Sequence, residues 1–239
     1  MQGYEEIFNQ RGKSYQLAME KYPEAREAEF QATVRRLRQI QHSTILDLPA
    51  GGGYLQKYLK DNINYLAYDF SGEFNDNHNR IQKCRESRIE LEDESVDEIV
   101  SLAALHHILA RKEFYSEMYR VLKPGGRLII GDATTNSKLD KFLNGFLDEW
   151  NSMGHNGRFI AEGDLLEIAE AGFRTDYVID KYQWNFSTQN EALDFFRLLF
   201  CLDRNPPEEK LLDALQELGV HENDGFSVSW ELGFITCEK

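Results

Sequence analysis

Thr44-Ile45-Leu46-Asp47-Leu48-Pro49-Ala50-Gly51-Gly52-Gly53-Tyr54 carries an apolar run through a carboxylate into three successive glycines. Ile45, Leu46 and Leu48 have the unbroken apolar character of a strand buried on both faces in a parallel sheet, and Leu55 to Leu59 then resumes apolar spacing at a helical period. The glycines therefore fall at a strand-to-helix turn. Glycine there allows positive φ and lets a ligand approach the backbone with no Cβ in the way, while the first N–H groups of a helix face the same loop. A glycine triplet also serves as a plain tight turn, so the loop alone does not establish a ligand. The next apolar run, Tyr65-Leu66-Ala67-Tyr68, closes on Asp69, about 20 residues beyond Asp47, the offset at which a ribose-binding acid follows such a loop. Asp69 is accordingly the expected ribose ligand. Gln56 stands where a dinucleotide fingerprint requires its third glycine, which argues against a nicotinamide dinucleotide.

An apolar strand, an acid, a glycine-rich loop and a second acid closing the next strand resemble the class I S-adenosylmethionine-dependent methyltransferases. Three later stretches continue the likeness in order. Glu92-Asp93-Glu94-Ser95-Val96-Asp97-Glu98-Ile99-Val100-Ser101 resembles the fourth strand with its lead-in, and Leu102-Ala103-Ala104-Leu105-His106-His107 the site-facing turn after it. Tyr119-Arg120-Val121-Leu122-Lys123-Pro124-Gly125-Gly126-Arg127-Leu128-Ile129-Ile130 resembles the turn and fifth strand of the small-molecule branch, where Pro124 and Gly125 also suit the two corners of a turn. The likeness spans roughly residues 40 to 135. It implies a Rossmann-like, seven-stranded, mostly parallel sheet flanked by helices, with S-adenosylmethionine as cofactor and no metal. It further implies a cofactor-binding set of Asp47, Ala50, Gly51, Gly53, Asp69, Phe70, Glu86, Ser87, Leu102 and Ala103, with Gly51 facing the amino-acid end of the cofactor, Asp69 the ribose and Glu86 the adenine. Tyr15 is the aromatic expected against the cofactor from an N-terminal lid. Two positions depart from the family pattern: Pro49 stands where glycine is usual, and Cys84-Arg85-Glu86-Ser87-Arg88 offers only Glu86 as an acid for the adenine.

With 41 acids against 27 bases, the net charge of −14 disfavours nucleic-acid phosphate and anionic membrane as partners. No run approaches 18 apolar residues, and the N-terminus has neither a basic nor an apolar leader segment, so a cytoplasmic protein without a membrane span is expected. Cys84, Cys201 and Cys237 are far apart and odd in number, giving neither a disulfide framework nor zinc spacing.

Three regions are expected. Residues 1–38, two charged amphipathic helices broken at Pro23, form the helical lid; residues 39–135 form the cofactor-binding core. Residues 136–239 complete the core with a helix at Asp164–Gly172, capped by its first acid, and strands at 174–186 and 226–238. Helical cap inserts lie at about 136–163 and 187–222, the second holding helices at about 188–202 and 208–218. Inserts at the carboxyl ends of parallel strands are where substrate selection belongs. Their arrangement is similar to that in trans-aconitate methyltransferase and the malonyl-thioester methyltransferase of biotin synthesis.

The expected chemistry is in-line methyl transfer from sulfonium to a small-molecule acceptor, with a carboxylate favoured. Arg158, after Gly154-His155-Asn156-Gly157, can hold such a carboxylate bidentately, or can be a solvated loop residue. His106 is the candidate general base for an acceptor that must lose a proton, with His107 as its buried neighbour. Leu102-Ala103-Ala104 offers no oxygen ligand for metal-assisted catechol methylation, and Asn205-Pro206-Pro207-Glu208 lies too far downstream for amino-methylation of nucleic-acid bases. Two alternatives are a catalytically inactive binding protein on the same fold, and a nicotinamide-dependent oxidoreductase.

Overall fold

A computed structural model of the chain describes residues 3–74, 81–222 and 225–239. Helices α1 (Tyr4–Lys21) and α2 (Glu27–Val34) fall on either side of Pro23 and precede strands β1 (Thr44–Asp47), β2 (Asn64–Asp69), β3 (Gln82–Lys83) and β4 (Val96–Leu102). After α3 (Arg111–Val121) and β5 (Leu122–Asp132), a rod runs through α4 (Lys138–Lys141), a π-helical turn (Phe142–Leu147) and α5 (Asp148–Trp150). Then come α6 (Glu162–Glu170), β6 (Arg174–Phe186), α7 (Gln189–Leu199), α8 (Glu208–Leu218), β7 (Val220–His221) and β8 (Phe226–Glu238). The sheet order is β3-β2-β1-β4-β5-β8-β6, with two-residue β7 paired to β8. All pairings are parallel except those of β8, which runs antiparallel between β5 and β6.

The apolar runs explain this layering. Alternate residues of a strand face opposite sides of the sheet. Ile45, Val100 and Ile129 therefore join the core under α2 and both inserts, while Leu46, Ile99, Leu128 and Ile130 join a second core under α3 and α6. Strands buried on both faces need apolar residues at every position, which is why β1, β4 and the end of β5 lack the alternation of a half-exposed strand. The strand order reverses between β1 and β4, so Asp47, Asp69, Leu102 and Asp132 end their strands along one carboxyl edge beside the switch point.

Two local expectations are corrected. The helix expected after the glycine loop is a single 3-10 turn, Tyr54–Tyr58, because the chain must re-enter the sheet at Asn64. Its apolar residues serve α2, with Phe30 stacked on Tyr58 at 5.3 Å between ring centroids. Asp164 is not the cap residue of α6 but the third residue of the helix, and its carboxylate reaches back to accept the Ala161 N–H at 2.8 Å.

The N-terminal helix is fastened along its length. Tyr4 Oη donates to Asp69, Ser71 Oγ to Asn9, Arg11 to the Gly154 carbonyl, and Ser14 Oγ to the Leu198 carbonyl at the end of α7. Thus α1 bridges the β2 end of the sheet to the two inserts. No helix among the described residues is long and apolar enough to cross a membrane.

Candidate functional site

A cavity opens at the carboxyl edge, walled by β1, β4, β5, α1 and both inserts. Of the residues expected around a cofactor, Tyr15, Asp47, Ala50, Gly51, Leu102 and Ala103 line it, as does His106. Gly51 requires its freedom, with φ +54, and an added Cβ there would point into the space before Tyr15, 3.6 Å from its ring. Pro49 also lines the wall. The loop is held by Ala50 N–H to the Tyr68 carbonyl at 2.8 Å and Gly51 N–H to Asp69 at 2.8 Å, so the donor that proline lacks is not one this loop uses.

The remaining expectations fall elsewhere, each for a visible reason. Gly53, φ +73, faces the Tyr65 hydroxyl and Ile81 rather than the cavity. Phe70 is a packing residue, 1% exposed, at the edge of the Tyr4 ring. Glu86 accepts from the backbone of Leu109 and Ala110 just before α3, and Ser87 lies on the outer surface with Lys112 and Glu113. Asp69 is wholly buried: one carboxylate oxygen accepts from Gly51 N–H and Tyr4 Oη, the other from Ser71 N–H. Tyr4, stacked on Phe8 at 4.3 Å between ring centroids, covers it, so Asp69 does not line the cavity.

Arg158 does not enter the cavity. Its guanidinium pairs with Asp164 and Glu167 at 2.9 Å each, and its side chain is 43% exposed. Arg158 lies in a loop, as its glycine-bearing sequence suggests, but α6 presents two carboxylates beside that loop. Two arginines line the cavity instead: Arg26, which pairs with Glu29, and Arg11, on α1, 5% exposed, which donates to the Gly154 carbonyl while its Nε has no partner. Among the described residues Arg11 forms no ion pair. Trp184, Trp230, Leu199 and Phe200 complete the apolar wall, with the two indoles stacked at 3.7 Å.

His106 sits on the 3-10 turn after β4, and Asp132, ending β5, grips it twice. One carboxylate oxygen accepts the His106 backbone N–H at 2.9 Å, and the other lies 2.7 Å from Nδ1. A carboxylate accepts only, so Nδ1 carries the proton, and in the neutral ring Nε2 is the acceptor. His107 and His155 complete a group of three buried histidines on the same wall. Burial, with the neighbouring His106 and Arg11, pushes both well below the usual imidazole range, so both are neutral at physiological pH.

Burial raises the Asp47 carboxyl to about 7 against the bond from Tyr65 Oη, and raises Asp69 to about 7 against its three donors. The neighbouring Asp69 adds to the rise at Asp47. A ligand ammonium beside Asp47 requires the ionised form, so its binding expels a proton below that pH. S-adenosylmethionine affinity should therefore rise with pH up to about 7 and level off above it, by as much as about tenfold per unit at the acid end. Titration calorimetry in buffers of different ionisation enthalpy measures both slope and proton release. A flat profile with no proton released would remove Asp47 from cofactor recognition.

The family model described as "Methyltransferase domain" matches residues 46–130, from within β1 to near the end of β5. A malonyl-[acyl-carrier protein] O-methyltransferase of Marinomonas sp. is 26% identical over 222 residues, covering 83% of this chain and 81% of that protein. Among solved structures, a SAM-dependent methyltransferase from Thermotoga maritima superposes with a TM-score of 0.63 at 19% identity, covering 98% of this chain and 99% of the other. One from Archaeoglobus fulgidus gives 0.59 at 17% identity, covering 94% and 99%. The glycine loop, the acids ending β1 and β2, and the sheet order around them lie in the matched region, so the chain carries a methyltransferase domain and shares the fold of S-adenosylmethionine-dependent methyltransferases.

Proposed function

We propose that this enzyme methylates a small-molecule acceptor through a carboxylate that Arg11 holds. The observation that carries the reading is the buried Arg11 guanidinium in the cavity wall, which forms no ion pair among the described residues and leaves its Nε unsatisfied. A buried charge without a counter-ion costs several kcal/mol, and an anionic ligand offsets that cost. The Marinomonas relative, by its name, methylates an oxygen of a malonyl group, which supports an acid as acceptor.

The residues divide the work. Asp47 takes the cofactor's ammonium, and Gly51 lets its amino-acid end approach the loop. The cofactor supplies a methyl group on sulfonium, whose transfer to a carboxylate oxygen leaves a thioether and an ester with no proton to place. Arg11 presents two parallel N–H groups to a carboxylate and thereby sets its orientation. The apolar wall of Trp184, Trp230 and Phe200 excludes water. Positioning of this kind can contribute about 7–11 kcal/mol.

The test is release of S-adenosylhomocysteine across a panel of carboxylates and acyl thioesters, with amines and phenols beside them. Arg11→Gln should raise the apparent KM for the acid acceptor by about 10- to 150-fold, the range for hydrogen bonds to charged groups, and leave cofactor affinity within about twofold. Turnover confined to amines or phenols, unaffected by Arg11→Gln, would overturn it. The His106–Asp132 pair favours one second reading, in which His106 deprotonates the acceptor. Under that reading phenols or amines turn over, and His106→Ala lowers their turnover by about 10²–10⁴.

A further inference from the structure

We propose that His106, His107 and His155 bind one divalent transition-metal ion of the zinc and cobalt class, inside the cavity and beside Arg11. Each residue offers a ring nitrogen within 4.8 Å of the other two, and all three are buried, at 7%, 4% and 5% exposure. The sequence hides the group, since two of its members are adjacent and the third arrives from the first insert.

The hydrogen bonds fix which nitrogens are available. Asp132 takes the Nδ1 proton of His106, and the Asp132 carboxylate is itself held by the backbone N–H groups of His106 and Ala133. His155 Nδ1 lies 3.1 Å from Asn144 Oδ1. The Asn144 amide cannot be reversed, because its Oδ1 accepts from Gly157 N–H at 2.7 Å and its Nδ2 donates to the Gly157 carbonyl at 2.9 Å. His155 Nδ1 must therefore be a donor, leaving the Nε2 lone pair free. Among the described residues no hydrogen bond from another residue reaches the ring of His107 or the second ring nitrogen of His106 or His155, while the His155 ring also bonds to its own backbone.

Such an arrangement is costly as mere packing. Each buried acceptor without a partner costs about 1–3 kcal/mol, and gathering three on one wall adds mutual repulsion. A cation at their convergence removes both costs. Carboxylate and amide groups behind the imidazoles are the outer partners that orient metal-binding histidines and set their tautomer. Neutral imidazoles select zinc, cobalt, nickel, copper or iron over magnesium and calcium. Zinc–nitrogen bonds of about 2.0–2.1 Å need the nitrogens about 3.4 Å apart, a contraction that side-chain torsions can supply.

Arg11 bears on the same site. Its charge opposes a second cation, so the ion is held weakly until an anion joins it. Three protein ligands leave a position open for that anion. Only this last point rests on the acid-acceptor reading above.

Tag-free protein stripped with chelator and titrated with Co²⁺, without cofactor or acceptor, should bind one equivalent and develop the visible absorption of nitrogen-ligated cobalt. Zn²⁺ should bleach it. His155→Phe, which preserves stacking on Phe159, and His107→Phe should each abolish the absorption while circular dichroism shows a folded chain. Malonate should tighten Co²⁺ binding severalfold, and Arg11→Gln should remove that gain. Failure of wild-type protein to bind either ion, or equal binding by both phenylalanine variants, overturns the site. Methyl transfer is not measured in this experiment, so the site and the acid-acceptor reading fail independently.

Discussion

Gly51→Val should lose S-adenosylmethionine affinity by at least about a hundredfold while remaining folded. Gly51 has φ +54, a region costly for a β-branched residue, and backbone strain of this kind costs on the order of 1–3 kcal/mol. That is a fraction of a domain's stability. The position of the new side chain matters more. An ideal Cβ meets only the Tyr15 ring, at 3.6 Å, so both γ-methyl groups enter the space between the loop and α1. The loop's anchor, Gly51 N–H to Asp69, persists because it is a backbone bond. Gly53→Ala provides the control, since Gly53 shares positive φ, at +73, but faces Tyr65 and Ile81. Calorimetry with S-adenosylhomocysteine, beside thermal melts of both variants, separates strain from occlusion. If Gly53→Ala loses as much affinity as Gly51→Val, strain rather than occlusion explains the effect, and the loop does not face the cofactor.

The sequence revealed those features whose cause is local. Apolar runs in β1, β4 and β5, the extended segments at 174–186 and 226–238, and the break at Pro23 each depend on side chains within a few residues, and each appears at or near its expected place. The place of Gly51 and Asp47 on the cavity wall was legible for the same reason. What remained hidden depends on contacts across the chain. Arg11 reaches the cavity wall only because α1 crosses to Gly154, and His155 only because the first insert returns its loop to β4. Arg158 shows the converse. It lies in a glycine-bearing loop suited to ligand recognition, but Asp164 and Glu167, on the helix that follows the loop, consume its charge. Asp69 fits the ribose spacing, yet no pattern in residues 44–69 could show that Tyr4 would cover it.

Loss of the Glu29 carboxylate should cost about 3–5 kcal/mol, lowering the melting temperature by about 6–20 °C at about 2–4 °C per kcal/mol for a chain of this size. Glu29 is fully buried and holds a four-residue network. Its carboxylate pairs with the Arg26 guanidinium and accepts from Trp184 Nε1 at 2.9 Å, while Arg26 Nη1 donates to Tyr15 Oη at 2.6 Å. Burial pulls Arg26 toward its neutral form, and the Glu29 carboxylate with the Tyr15 hydroxyl more than offsets that, so the charge stays. In Glu29→Ala it stays without an anion, sandwiched near Phe30 and Trp184, each 5.3 Å from the guanidinium carbon. Removing both charges is different. Arg26→Met with Glu29→Met should recover most of the loss, because well-packed apolar groups replace a buried pair at little cost. Cofactor affinity should not recover with it, since Tyr15, Arg26 and Trp184 all line the cavity and Tyr15 would lose the donor that fixes its ring beside Gly51. A loss below about 1 kcal/mol in Glu29→Ala would mean that water reaches Arg26 and that α2 is not sealed against β6.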